Sequence, residues 1–352
     1  MSKGFSFENK VVEYFRSQGY LAKRGIPLTT ESKQDATDID VYGTKFIYPF
    51  IETTLICDCK NKAKPRPFER IFWTKGVAEY VRVNNTYVAL PKVQTDVNKF
   101  AIDINVNLLS NDEINKFEGD NFSYGLNKID DINSNKGLKS IYSSIKQLYI
   151  YRNPYTMLNR CINNIKLISE KIKTSKEDEI EYYKFILSEL VVVLSVSILR
   201  VCSKLMSLDK KYREGYLLDK LTYGEMPLDK AKSIIEGSSR LALEVIKRET
   251  GIIKYSLEEF DFIRPPEYSK DLIGLIFRAM ENPKYYVELP QNIDYIMFEV
   301  FMNNKNLDDE EFKNIFGSEN YNEKIKSCKN IIYLINHHCG SNIDICNISN
   351  KN

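Results

Sequence analysis

The stretch IETTLICDCK, Ile51 to Lys60, reads as a β-strand that ends in charge. Isoleucine, threonine and leucine dominate its first half, and then Asp58 and Lys60 alternate with Cys57 and Cys59. Side chains alternate faces along a strand, so Ile56, Asp58 and Lys60 share one side while Cys57 and Cys59 share the other. An isolated carboxylate is costly to remove from water, so a buried Asp58 needs a cation, a hydrogen-bond network or a metal beside it. Lys60 alone can meet that need as a structural pair. The segment TDIDV, Thr37 to Val41, offers more, because Asp38 and Asp40 lie together on one side of a second strand.

Working outward, the first third of the chain reads as mixed α and β. Ser6 is placed to cap a helix from Phe7 to about Gln18, with Phe7, Val11, Tyr14 and Phe15 on one face. Strands are expected at Tyr20 to Ile26, across TDIDVYG and KFIYPF, and at Ile51 to Lys60. NKAKPRP is a basic, proline-containing loop, and helical spacing returns from Phe68 to about Val83. TYVALP and INVNLLS are the last strand signals, giving the order α-β-β-β-α-β-β.

From about Lys128 helical periods take over. Helices are predicted at Ser140–Tyr151, Tyr155–Lys173, Glu177–Met206, Leu228–Glu249, Lys270–Glu281, Ile293–Met302, Asp309–Ile315 and Glu323–Ile335. The organisation expected is therefore an α+β or α/β unit over residues 1–118, a polar linker over 119–137, and a mostly α-helical unit over 138–352. The apolar run Phe185 to Met206 contains Glu189, Arg200 and Lys204, and reads as a buried core helix better than as a membrane span.

One carboxylate from each of two strands, with a lysine two residues after the second, is the equipment of metal-assisted phosphodiester hydrolysis. Carboxylate oxygens suit Mg²⁺, with Mn²⁺ as a substitute. A bound divalent cation acidifies water and offsets charge on the phosphate, and Lys60 is placed to orient that water or stabilise the charged transition state.

The pattern Asp40, seventeen intervening residues, then Asp58-Cys59-Lys60 resembles the PD-(D/E)XK, or restriction-endonuclease-like, nucleases. The element order resembles their αβββαβ core, and the resemblance covers roughly residues 4 to 112. It implies Asp40 and Asp58 as metal ligands, Lys60 as the catalytic lysine, and Glu8 of FENKVVEYF as an accessory ligand. No proline precedes Asp40, and Asp38 stands as a substitute for it. The implied activity is a Mg²⁺-dependent endonuclease acting on DNA, in restriction or host defence. Alternatives are an inactive nucleic-acid-binding or scaffolding protein, or a nuclease acting on RNA or branched DNA. Lys62, Lys64, Arg66 and Arg70 form a basic stretch dense enough to meet several phosphates. Phe68, Phe72 and Trp73 beside it are expected in the core.

Composition sets the remaining bounds. With 352 residues, 43% hydrophobic and 28% charged, the chain matches a folded protein of about two domains. The net charge of +2 leaves any polyanion surface to local clustering. No apolar run follows the first lysine, so no signal peptide, no membrane partner and a cytoplasmic location are expected. The seven cysteines fit reduced thiols. Cys328, His337, His338, Cys339 and Cys346 have zinc-ligand chemistry, but their spacing matches no zinc motif. There is no nucleotide-binding glycine loop. The helical part is expected to serve target choice, homo-oligomerisation or docking of a protein partner.

Overall fold

A computed structural model describes residues 3–30, 34–61, 66–117, 122–126, 136–251 and 264–345. Helix α1 (Lys3–Ser17) leads into three strands, β1 (Leu21–Thr29), β2 (Asp35–Ile47) and β3 (Ile51–Cys59). These form an antiparallel meander, with Ile47 opposite Ile51 and Val41 opposite Cys57 in the second hairpin. Helix α2 (Pro67–Val81) then crosses over to β4 (Asn85–Leu90), which pairs parallel to β3. Helix α3 (Thr95–Asp103) crosses to a short parallel β5 (Asn107–Ser110), closed by α4 (Asn111–Asn115). The result is a five-stranded mixed sheet in the order β1-β2-β3-β4-β5.

Two expectations for this region are corrected. Ser6 lies inside α1, which starts at Lys3, and so does not cap it. Helix α3 was not expected between β4 and β5. Two parallel strands need a crossover, and this nine-residue helix provides it by burying Val97 and Ala101 against Val88 and Leu90.

The chain beyond residue 136 is mostly helical. Its described elements are α5 (Lys136–Gln147), α6 (Pro154–Thr174), α7 (Glu177–Met206), α8 (Arg213–Tyr223), α9 (Leu228–Thr250), α10 (Ser269–Glu281), α11 (Leu289–Tyr295), α12 (Asp309–Phe316) and α13 (Tyr321–Cys339). A π-helical turn, Ile296–Met302, follows α11 in place of the expected continuous helix. Helix α8 was not expected either; its buried contribution is only Leu217 and Leu221, too sparse for a clear period.

Helix α7 is the axis of this part. It is long and apolar enough to cross a membrane by length and composition, yet 94% of its most apolar window is buried within the protein. A helix apolar on every side must be surrounded, and here α6, α10 and α11 pack around it. Its serines 188, 195 and 197 donate back to the carbonyls of Lys184, Val192 and Leu194, so none is left unsatisfied in the core.

Ile71, Val88, Leu90, Val97, Ala101 and Val106 form the smaller of two hydrophobic clusters, under α2 and α3, while sheet and helices share the larger one, which runs from Phe7 and Val11 through Leu55 and Ile56 to Val191, Ile276 and Ile332. Buried ions stitch the same seam. Lys23 of β1 binds Glu189 of α7 at 2.6 Å and Asp294 of α11 at 2.7 Å, and Arg16 reaches Asp294 at 3.1 Å. Arg200 of α7 pairs with Glu52 of β3 at 2.7 Å and donates to Tyr42 Oη. Part of the segment expected as a polar linker packs into this seam. Tyr124 and Leu126 are buried, and Arg16 donates to the carbonyls of Phe122 and Tyr124; the rest of 119–135 lies outside the described residues.

Candidate metal and phosphate site at the ends of β2 and β3

The meander register carries the site. One step beyond the Val41–Cys57 pair, Asp40 comes opposite Asp58, so the two carboxylates project from neighbouring strands on the same side. Gly25 of β1, at φ 63°, lies between Arg24 opposite Val41 and Ile26 opposite Ile39, at the level of Asp40. The parallel crossover does the rest. It brings the first turn of α2 back over the C-terminal end of β3, where open α/β sheets place their ligand crevices.

Asp58 has 1% of its side chain exposed and is held by two cations. Arg70, in the first turn of α2, grips it with both arms of its fork: Nε donates to Oδ2 at 2.8 Å and Nη2 to Oδ1. Lys60 Nζ stands 3.2 Å from Asp58 Oδ1 and donates to Asp40 Oδ2 at 3.0 Å. The Cys59 amide donates to the same Asp40 oxygen at 2.7 Å. The backbone N–H of Lys60 donates to the Ala89 carbonyl, which extends the ladder one residue past β3 and fixes the lysine's starting point. Cys57 and Cys59 occupy the opposite side with their sulfurs 4.0 Å apart, as strand alternation requires.

Glu8 enters from α1, with its carboxylate 3.9 Å from Arg24 Nε. Burial, followed by the charge of Asp40, raises its pKa to about 7. Burial and then Asp58 push the Asp40 carboxyl upward as well, against the pull of the Cys59 amide and Lys60. Burial disfavours charge on Lys60, but Asp40 and Asp58 outweigh it and hold the ammonium above its usual range. Lys60 is therefore a fixed positive charge. Glu8, with its pKa raised to about 7, can exchange a proton near neutrality.

Four of the residues singled out in the sequence meet here: Glu8, Asp40, Asp58 and Lys60. Asp38 is exposed, and its charge raises the Glu8 pKa less than that of Asp40 does. Lys62 and Lys64 lie outside the described residues. Arg66 is exposed and pairs with Glu69 at 3.3 Å. Arg70, expected on phosphate, is engaged with Asp58, because the crossover lays the first turn of α2 over the end of β3. Phe68 and Phe72, expected in the core, are 45% and 61% exposed, because Phe100 of α3 meets them on the outside of α2. Trp73 is half-buried with the Arg70 guanidinium 4.4 Å above its ring.

The donor set suits a hard divalent cation. It consists of carboxylate oxygens, and burial first, then the charge of a neighbouring carboxylate, raises the pKa of both Glu8 and Asp40, a penalty on the charged form that a bound cation would offset. The three carboxylates are nevertheless not drawn within 4.8 Å of one another as a ready ligand cage, among the described residues. Cations stand between them. Compared with models of protein families, with curated proteins and with solved structures, the chain gives no match.

Proposed function

We propose that the chain is a Mg²⁺-dependent endonuclease of the restriction-endonuclease-like class, acting on DNA. The observation that carries this reading is the meeting of Glu8, Asp40, Asp58 and Lys60, from three separate elements, at one end of the sheet. Asp40 and Glu8 are the residues to hold the metal, since among the described residues no hydrogen bond engages Asp40 Oδ1 and Glu8 has only its distant pairing with Arg24. A bound cation supplies Lewis-acid polarisation and an acidified water. Lys60, kept as an ammonium, faces the charge that develops on the phosphate. Without metal, burial and the charge of Asp40 raise the Glu8 pKa to about 7; with a cation bound, the carboxylate gives up that proton and stays ionised as a ligand. Arg70 holds Asp58 in place and joins Lys60 in neutralising the site. The family resemblance suggests a role in restriction or host defence.

Lys60→Ala and Asp40→Asn are expected to reduce Mg²⁺-dependent scission of labelled DNA at least ~10²-fold while DNA binding persists. Undiminished cleavage in both variants would end the proposal.

A second reading has its own observation: both oxygens of Asp58 are already held by Arg70 and Lys60. A site so satisfied suits a protein that binds nucleic acid without cutting it. Salt-sensitive binding with no scission at any Mg²⁺ or Mn²⁺ concentration would favour that reading. RNA and branched DNA belong in the same assay as alternative substrates.

A further inference from the structure

Both histidines of the chain, His337 and His338, sit side by side in the last turn of α13. The first turn of α10 packs against that end and brings Asp271 to them, 67 residues before His338 in the sequence. His338 Nε2 lies 2.8 Å from Asp271 Oδ2. Ligand atoms of Asp271, His337 and His338 all lie within 4.8 Å of one another. Among the described residues this is the group of three that comes so close.

The surroundings orient each ring. His337 stacks on Tyr333, one turn back on the same helix, with the ring planes 2° apart. His338 meets Tyr268 edge-on and is mostly covered, with 15% of its side chain exposed. The last carbonyls of a 19-residue helix add negative potential at this point, which favours a cation. Asp271 is 52% exposed, so an ion has an open approach. The neighbouring thiols take no part: Cys339 turns inward to the Ile162 carbonyl, and Cys328 is fully buried. Of the cysteine-and-histidine set suggested by residue type, Cys346 lies outside the described residues, and the described members that meet are the two imidazoles, joined by a carboxylate from a distant helix.

We propose that Asp271, His337 and His338 form a binding site for a divalent ion of the zinc class. Imidazole with carboxylate is a borderline N/O donor set that selects Zn²⁺, Ni²⁺ or Cu²⁺ over Mg²⁺ and Ca²⁺. Three protein ligands leave a fourth tetrahedral position to water. The ion fastens the start of α10 to the end of α13. This site is separate from the carboxylates of β2 and β3 and stands whether or not the chain cuts nucleic acid.

The test uses the fact that the protein has only two histidines. Zn²⁺ is titrated into the full-length chain while the histidine ring resonances are followed by NMR. Both rings are expected to shift together and to saturate at one equivalent, with no response to Mg²⁺. Asp271→Asn and His338→Ala are expected to weaken the apparent affinity about tenfold or more, with the far-UV spectrum unchanged. The Asp40→Asn variant keeps wild-type Zn²⁺ binding. Ring signals that stay in place, a single ring that shifts, or an affinity untouched by Asp271→Asn would each overturn the assignment.

Discussion

Glu8 is where charge and pH meet in this protein. Its carboxyl titrates near pH 7 in the fold, against 4.5 ordinarily, so between those values the native state binds more protons than the unfolded chain. Stability must fall as pH rises through that window, and stay unaffected by this group below it. Glu8→Gln removes the effect. In metal-free buffer the variant is expected to gain on the wild type at pH 8, by at most about 3 kcal/mol, and to match it at pH 4. Urea midpoints at the two pH values measure this, and an equal offset at both would show that Glu8 titrates normally. Arg70 makes the complementary case. Arg70→Ala leaves a carboxylate with 1% exposure relying on Lys60 alone, at a cost of about 3 kcal/mol in urea unfolding. Arg70→Lys is not expected to restore it, because a lysine lacks the two-armed fork. The double variant Arg70→Ala/Asp58→Asn should recover part of the loss, since it no longer strands a charge.

At the scale of elements, the seam between β1 and the helices rests on ions as much as on hydrocarbon. Lys23→Met would leave Glu189 and Asp294, 2% and 0% exposed, with excess negative charge. A loss of about 3–5 kcal/mol in equilibrium unfolding is expected; a loss under about 1 kcal/mol would mean that water reaches the pair. None of this network was legible in the sequence, because its members lie 166 and 271 residues away from Lys23. What could be read were the elements with strong local patterns. Glu177–Met206 has the predicted bounds, since an unbroken apolar helix announces itself, and β3 follows from its β-branched run. Alternation alone was enough to bring Asp58 and Lys60 to one side, and the pairing of Asp40 with Asp58 needed only a tight hairpin. The grip of Arg70 on Asp58 was hidden because it depends on the direction of a crossover. Helices α3 and α8 were missed because each buries only two residues.

For the molecule as a whole, the larger core cluster spans both the sheet and the helices from α1 to α13, with a smaller one beneath α2, α3, β4 and β5, and the shared cluster is expected to couple the unfolding of the two parts. The single tryptophan, Trp73, reports on the sheet region, while far-UV dichroism is dominated by the helices beyond residue 136. Urea transitions followed by tryptophan emission and by dichroism are expected to coincide. Two separated midpoints would show that the sheet and helical parts melt on their own.

The sheet has two borders, and they are limited in different ways. β1 is buried along most of its length, flanked by α1, α5 and α11, while β5 ends after four residues where Ser110 and Glu113 lock each other into the start of α4. A bare border is a template onto which a foreign strand can zip, and through which sheets grow into fibres. Among the described residues, helices flank that template along β1, and at β5 it is only four residues long. Zipping of a foreign strand onto β1 would first have to displace those helices, which leaves the meander free to serve its carboxylates.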